Sequence, residues 1–373
     1  VLTPPEERLN SFYGGAIARW VYNIYTRISK ESGQYLICGR ISGDGDDYKI
    51  VALKSKLNAC MSLLMKIPFV RRLSYLITVI IYSSEVRIAD VVEVHNSYQM
   101  IKWLRLMGFK KRLILHMHND YLLNVSDKTI LTLESHVDDV IVCSKALQNS
   151  LKIRSNKLAS SSIVVYNGVD TNLFFPKISN DINLDPVIRL LYVGRIVPAK
   201  GVDLLIGVYQ KLLKLKPDSE LKIVGSSLFG GGESRYGKEC QQQIDSLKAA
   251  GAKAEILGYV HNAKLPDLYN WASLFCSFSR DEAFGMTYIE ALACKTLVLA
   301  NRVGGVSEAV GFEEMLITDN LSASEIVNRI LDLSNHYMGS YLTAESYSRT
   351  IQLFSWWVIA RQHSEVLSVS VNI

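Results

Sequence analysis

Apolar and polar positions along the chain change period many times. ADVVEVHNS and KRLILHMHND carry short apolar runs that predict strands, each leading to a histidine. AIARWVYNIYTRIS places Ile17, Trp20, Val21, Ile24 and Ile28 on one helical face. QYLICG predicts a strand ahead of the turn SGDGDD, and HVDDVIVCSKAL a strand leading into a helix with Ser144 as N-cap. SIVVYNGVDTNLFFPK is a strand, a turn and an apolar-aromatic close. The alternation then restarts. IRLLYVG, ELKIVG and AEILGYV predict strands, and LPDLYNWA a short helix. CSFSRDEAFGMTYIEALACKTLVLANRVGGVSE supplies strand, turn, helix, strand and a Gly-Gly turn.

Two series of alternating strands and helices imply two parallel-sheet domains. The expected first domain is residues 1–176 and the second 177–351. The final helix, 352–373, is expected to pack back on the first. The chain begins at Val1, not Met, and VLTPP reads as the tail of a strand, so residues are expected to precede it.

The chain has 373 residues, 49% of them hydrophobic and 21% charged, a globular composition. Six scattered cysteines with no CxxC pair, and no visible histidine cluster, argue against a disulfide framework or a zinc site and for a reducing, cytoplasmic setting. Residues 1–176 hold 22 Lys/Arg and 15 Asp/Glu (+7), and residues 177–373 hold 19 and 21 (−2), which together give the net +5. A basic first half suits an anionic partner. No nucleic-acid motif accompanies it, so none is expected. Within that half, residues 61–82 mix large apolar side chains with Lys66, Arg71 and Arg72. Pro68 and these charges exclude a spanning helix. Both an interfacial helix on an anionic inner membrane surface and an ordinary packed helix fit the pattern.

The candidate chemistry concentrates at strand-to-helix loops. Gly285 precedes a helix start at which backbone N–H groups can receive phosphate. Glu282 and Glu290 bracket that turn. Thr287-x-x-Glu290 is also a capping-box pattern, which leaves two readings of Glu290. Arg195 and Lys200 share one loop, and a planar fork with a point charge suits a diphosphate. Gly14-Gly15 precedes the first helix, as a turn or an anion loop. Asp44 and Asp46 sit in a turn that fits solvation better than metal binding. His95, His116 and His118 lie near strand ends, and His116 reads as structural.

These motifs, in this order, resemble the retaining glycosyltransferases of family 4. YNGVDTNLFFP looks like the family's interdomain segment, LYVGRIVPAKG its GR-x4-KG loop, DEAFGMTYIEALAC its E-x7-E signature and VGGVSE its Gly-Gly turn. The resemblance implies an α/β, GT-B fold: two doubly wound Rossmann-like domains facing an interdomain cleft. It implies a nucleotide-sugar donor, of the UDP-GlcNAc or UDP-glucose type, and no metal or other cofactor. Arg195 and Lys200 would hold the diphosphate with Gly15, Gly194, Gly258 and the stretch Phe284, Gly285, Met286 and Thr287. Glu290 would bind the ribose, Glu282 the sugar, and His118 would lie by the reacting centre. More loosely, GGAIARWVYN and GSSLFGGGESRY look like enzymes of lipopolysaccharide core and surface-polysaccharide assembly, which implies a glycan or glycolipid acceptor. A nucleotide-sugar epimerase of the same fold and a non-catalytic nucleotide-sugar-binding protein are the alternatives. One departure stands out: where the family has A-C-G-x-P-V, this chain has Lys295 for Gly and Leu297 for Pro, which questions the turn there.

Overall fold

The computed structural model describes residues 1–4, 8–9, 16–28, 37–41, 50–52, 68–177, 187–229, 232–318, 321–334 and 336–368. The chain divides into two compact units, Val1–Asn167 with Trp356–Ile373, and Gly168–Ser355.

In the first unit, β1 (Arg8–Leu9), β2 (Ile37–Ile41) and β3 (Ile50–Ala52) run parallel in that order. A second parallel series follows: β4 (Val91–His95), β5 (Arg112–Met117), β6 (Asp139–Val142) and β7 (Ser162–Val164). Leu2 bridges Val94, so the first residues extend this sheet. β4 to β6 are buried almost throughout, Glu93, His95 and His116 included, because helices cover parallel sheets on both faces. The helix Ala16–Ile28 turns Ile17, Trp20, Val21, Ile24 and Ile28 inward, the face its spacing defines. Trp356–Ser368 packs against it.

The second unit holds six parallel strands: β8 (Arg189–Val193), β9 (Glu220–Val224), β12 (Lys253–Gly258), β13 (Leu274–Ser277), β14 (Leu297–Asn301) and β15 (Leu316–Ile317). Their order in the sheet is β12-β9-β8-β13-β14-β15. The glycine-rich loop after β9 contributes a small antiparallel hairpin of β10 (Leu228–Phe229) and β11 (Gly232–Glu233). Chain order therefore reverses between β8 and β13. Open α/β sheets place ligands at that switch point, beyond the carboxyl ends of the strands.

Residues 168–177, read from the sequence as the end of the first domain, pack on the second unit. Val169 N–H donates to the Phe354 carbonyl at 2.7 Å, and the Phe174 ring meets Tyr269 edge-on. The helix His336–Phe354 ends in the second unit, and a break at Ser355 separates it from Trp356–Ser368 in the first.

The questioned turn after the helix Met286–Ala293 is closed by Lys295 in the left-handed region, φ 59°. A glycine would enter it without the roughly 1 kcal/mol an L side chain incurs there. The Lys295 ammonium in turn lies 5.2 Å over the Tyr347 ring.

Part of the basic-apolar stretch is the helix Pro68–Ile81, which buries Ser74, Tyr75, Thr78 and Val79 while Leu73 and Ile80 face solvent. Lys66 lies outside the described residues; Arg71 and Arg72 fall within the helix. Among the described residues, no helix is long and apolar enough to cross a membrane.

Candidate active site

The loops after β8 and β13 meet at the switch point. Arg195 follows β8 and is exposed; its carbonyl accepts from the buried Tyr192 hydroxyl at 2.8 Å, which anchors the loop. Lys200 ends the 3₁₀ turn Pro198–Lys200. Its ammonium donates to the Asp281 carbonyl at 3.0 Å and to Glu282 Oε2 at 2.8 Å. Two residues 82 positions apart thus form an ion pair at this edge, with side chains 17% and 21% exposed. A partly shielded cation with a carboxylate beside it can pass between that carboxylate and an incoming phosphate.

The loop carrying Glu282 is held from both sides. Arg280 N–H donates to the Ala199 carbonyl at 2.8 Å, and Gly305 N–H to the Glu282 carbonyl at 3.0 Å. A Cβ on Gly304, at φ 48°, would lie 2.0 Å from that same carbonyl oxygen, so only glycine lets the turns meet. The Arg280 guanidinium forks onto Asp203 at 2.8 and 3.1 Å. Burial pushes the Asp203 carboxyl up, but Arg280 and the Tyr236 hydroxyl bring it below its ordinary range. Sequence reasoning overlooked Arg280; this cation braces the loop through Asp203.

Gly285, φ 89°, caps the helix Met286–Ala293 with no side-chain cap bond. The capping-box reading of Thr287 and Glu290 is thereby excluded, because Thr287 is already inside the helix and Glu290 is its fifth residue. Glu290 is 2% exposed, and Tyr269 Oη donates to its Oε2 at 3.1 Å. The first N–H groups of this helix, at Met286 and Thr287, lie where intrahelical partners run out. The Phe284 ring is core, packed edge-on against Phe354 at 5.4 Å, which leaves its backbone as the part that can reach a ligand. Gly194 N–H donates to the Val224 carbonyl at 2.9 Å, beside the switch point. Gly258 ends the edge strand β12, and its carbonyl accepts from Gly225 N–H at 2.8 Å. Gly15, Asp44 and Asp46 lie outside the described residues.

The expectation of no histidine cluster is overturned. Parallel register pairs His95 with His116 across β4 and β5. His118 follows one residue after β5; its backbone N–H donates to Asn96 Oδ1 at 2.8 Å, and its ring stacks on His116 at 4.3 Å. His363 arrives from Trp356–Ser368, and Trp20 lies edge-on to three of the imidazoles. Glu93 receives His116 Nδ1 at 2.7 Å, His363 Nε2 at 3.0 Å and the Tyr25 hydroxyl. Burial works to raise the Glu93 carboxyl, yet the surrounding histidines hold it well below its usual value. Burial drives His95, His116 and His118 below the ordinary imidazole value. Glu93 and His363 stand 270 positions apart, and no periodicity links such a pair.

Residues 175–349 match the family model described as glycosyl transferases group 1. The lipopolysaccharide 1,2-N-acetylglucosaminetransferase of Salmonella typhimurium is 27% identical over 291 residues, 74% of this chain and 72% of that protein. The GPI3 subunit of phosphatidylinositol N-acetylglucosaminyltransferase of Saccharomyces cerevisiae is 24% identical over 238 residues, and the match spans 62% of this chain and 51% of that one. Among solved structures, Anabaena HepE in complex with UDP has the same fold, with a TM-score of 0.72 over 99% of both chains at 20% identity. The architecture is thus that of GT-B proteins, with two Rossmann-like units.

Proposed function

We propose that this protein is a retaining, metal-independent glycosyltransferase of family 4 that moves a sugar from a UDP-sugar, UDP-GlcNAc or UDP-glucose, to a lipopolysaccharide-core or other cell-surface glycan. The observation that carries the reading is the Lys200–Glu282 pair at the switch point of the 175–349 segment, beside exposed Arg195 and the helix start at Gly285. A diphosphate leaving group develops charge as the glycosidic bond breaks. Arg195, Lys200 and the N–H groups of Met286 and Thr287 are the groups here that can meet it. The buried Glu290 accepts from the ribose hydroxyls, Glu282 from the sugar, and His118 lies by the transferred sugar, as the resemblance implies. The acceptor hydroxyl attacks on the face the diphosphate leaves, and a phosphate oxygen takes its proton. The names of the Salmonella and yeast relatives, both N-acetylglucosaminyltransferases, favour that sugar, and the UDP bound to HepE favours uridine. The basic first half and the helix Pro68–Ile81 suit a glycolipid acceptor met at the inner face of the cytoplasmic membrane.

The test is a screen of UDP-, GDP- and ADP-sugars by thermal shift, since a ligand bound only by the folded state raises the melting temperature by mass action. Product analysis with a glycan acceptor follows. Stabilisation by UDP-sugars and transfer with the anomeric configuration kept are expected. Binding without transfer or hydrolysis would favour a sensor, and isomerisation of the donor without an acceptor would favour an epimerase.

A further inference from the structure

The buried cluster in the first unit has an internal logic that the resemblance does not supply. A carboxylate only accepts hydrogen bonds. His116, 2.7 Å from Glu93 through Nδ1, therefore carries its proton on Nδ1, and His363, facing Glu93 through Nε2, carries its own on Nε2. The opposite nitrogens, His116 Nε2 and His363 Nδ1, are left as lone pairs without a protein partner.

His95 and His118 are the remaining pair. His95 Nδ1 lies 2.9 Å from His118 Nε2, so one proton sits between them. Two arrangements satisfy that contact. If His95 Nδ1 holds the proton, the His95 Nε2 lone pair faces Glu93 Oε1 at 3.4 Å, a negative end turned toward an anion. If His118 Nε2 holds it, His95 carries its proton on Nε2, and that positive end lies 3.4 Å from the carboxylate, a charge–dipole contact and not a hydrogen bond. His95 is fully buried and Glu93 nearly so, which keeps the anion's field strong at this distance. The second arrangement is the lower in energy. His118 then keeps its proton on Nε2 and offers the lone pair of Nδ1.

We propose that Glu93 is a positioning residue which, through His95, sets the tautomer of His118, so that His118 presents a hydrogen-bond acceptor to a sugar hydroxyl. Placing His118 by the transferred sugar rests on the function proposed above; the tautomer does not. Asn96, through Oδ1, holds the His118 backbone, and the stacking on His116 fixes the ring plane. Which ring nitrogen bears the proton is then decided by a charge two side chains away.

The tautomer is read directly by two-bond proton–nitrogen NMR of ring-labelled histidine at pH 7.5, without substrate. His118 is expected with Nε2 protonated and Nδ1 bare, and His95 likewise. A proton on His118 Nδ1 in the native protein overturns the proposal whatever any variant does. Glu93→Gln removes the charge at nearly constant shape and is expected to mix the tautomers. With UDP binding retained, kcat should fall about 10-fold or more, the scale seen when partners that fix a histidine are lost. Tyr25→Phe removes another Glu93 partner but leaves the charge, so it should lower the melting temperature and spare both the tautomer and kcat. Equal loss of kcat in the two variants would make the cluster merely structural. The same side chains, Glu93 with His116 and His363 or the stack of three histidines, also form a metal donor set. One equivalent of a transition metal in the purified protein would likewise overturn the proposal, since a metal would displace the imidazole protons that face Glu93. Failure of UDP-sugar transfer by the native protein, with the tautomer as expected, would instead count against the function.

Discussion

Acidification should destabilise the first unit before it affects the second, through His95 and His116. Both side chains are fully buried. Burial lowers both imidazole pKa values, against the opposing pull of Glu93. In the unfolded chain each titrates near about 6.5. Below that pH the unfolded state binds protons that the folded state refuses, so stability is full above about pH 6.5 and falls as pH drops. For a fully mismatched histidine the slope approaches about 1.4 kcal/mol per pH unit, and from pH 7.5 to 5 it integrates to about 2 kcal/mol. That figure is the ceiling for His95, which is held well below the ordinary value, and it is already a large part of the roughly 5–15 kcal/mol typical of a domain; His116, lowered by burial but pulled back up by its hydrogen bond to Glu93, adds in the same direction. Glu93 has the opposite window: its depressed pKa contributes stability that is lost only below about pH 4.3, the unfolded glutamate value. The measurement is hydrogen exchange by mass spectrometry on peptides spanning residues 91–117, corrected for the intrinsic rate at each pH. Opening free energies that agree at pH 7.5 and 5 would refute the argument, because they would mean the cluster takes up its protons while folded.

Replacing Arg195 or Lys200 with Ala should lower turnover about 100-fold or more, as loss of one preorganised charge-stabilising group does; full rates in both would remove them from the diphosphate site. Glu290→Gln should keep the melting temperature, since the amide oxygen can still accept from Tyr269 Oη, while weakening UDP binding measured by calorimetry. Lys295→Gly should raise stability by up to about 1 kcal/mol in urea unfolding, by relieving a left-handed side chain; a loss would show that the contact with Tyr347 outweighs the strain. Co-sedimentation with anionic vesicles at low salt, released as salt rises, is expected of the native protein and not of Lys66, Arg71 and Arg72 all changed to Gln. Equal binding to neutral vesicles would point to the apolar face alone.

The alternation of apolar runs was enough to place most strands and helices, because strand and helix periods are local properties of consecutive residues. Ser144 is the N-cap that its position before KAL predicts: its hydroxyl accepts from Leu147 N–H at 3.0 Å. The motif loops were legible for a related reason. Gly285, Gly304 and the Arg195–Lys200 turn each serve a backbone conformation or a charge that only a few residue types supply. Relations between segments were not legible. Whether Glu290 caps a helix or lies buried beneath Tyr269 turns on where that helix begins, and Gly285 moves the start two residues ahead of the motif's own logic. The end of the first unit shifted because Val169 bonds to Phe354, a pairing across most of the second unit. The histidine cluster shows the limit most clearly. His95 and His116 become neighbours through parallel register, and His363 joins them only because the final helix returns to the first unit. Sequence spacing carries no trace of such a meeting; burial around Glu93 then decides which imidazoles are neutral and where their protons sit.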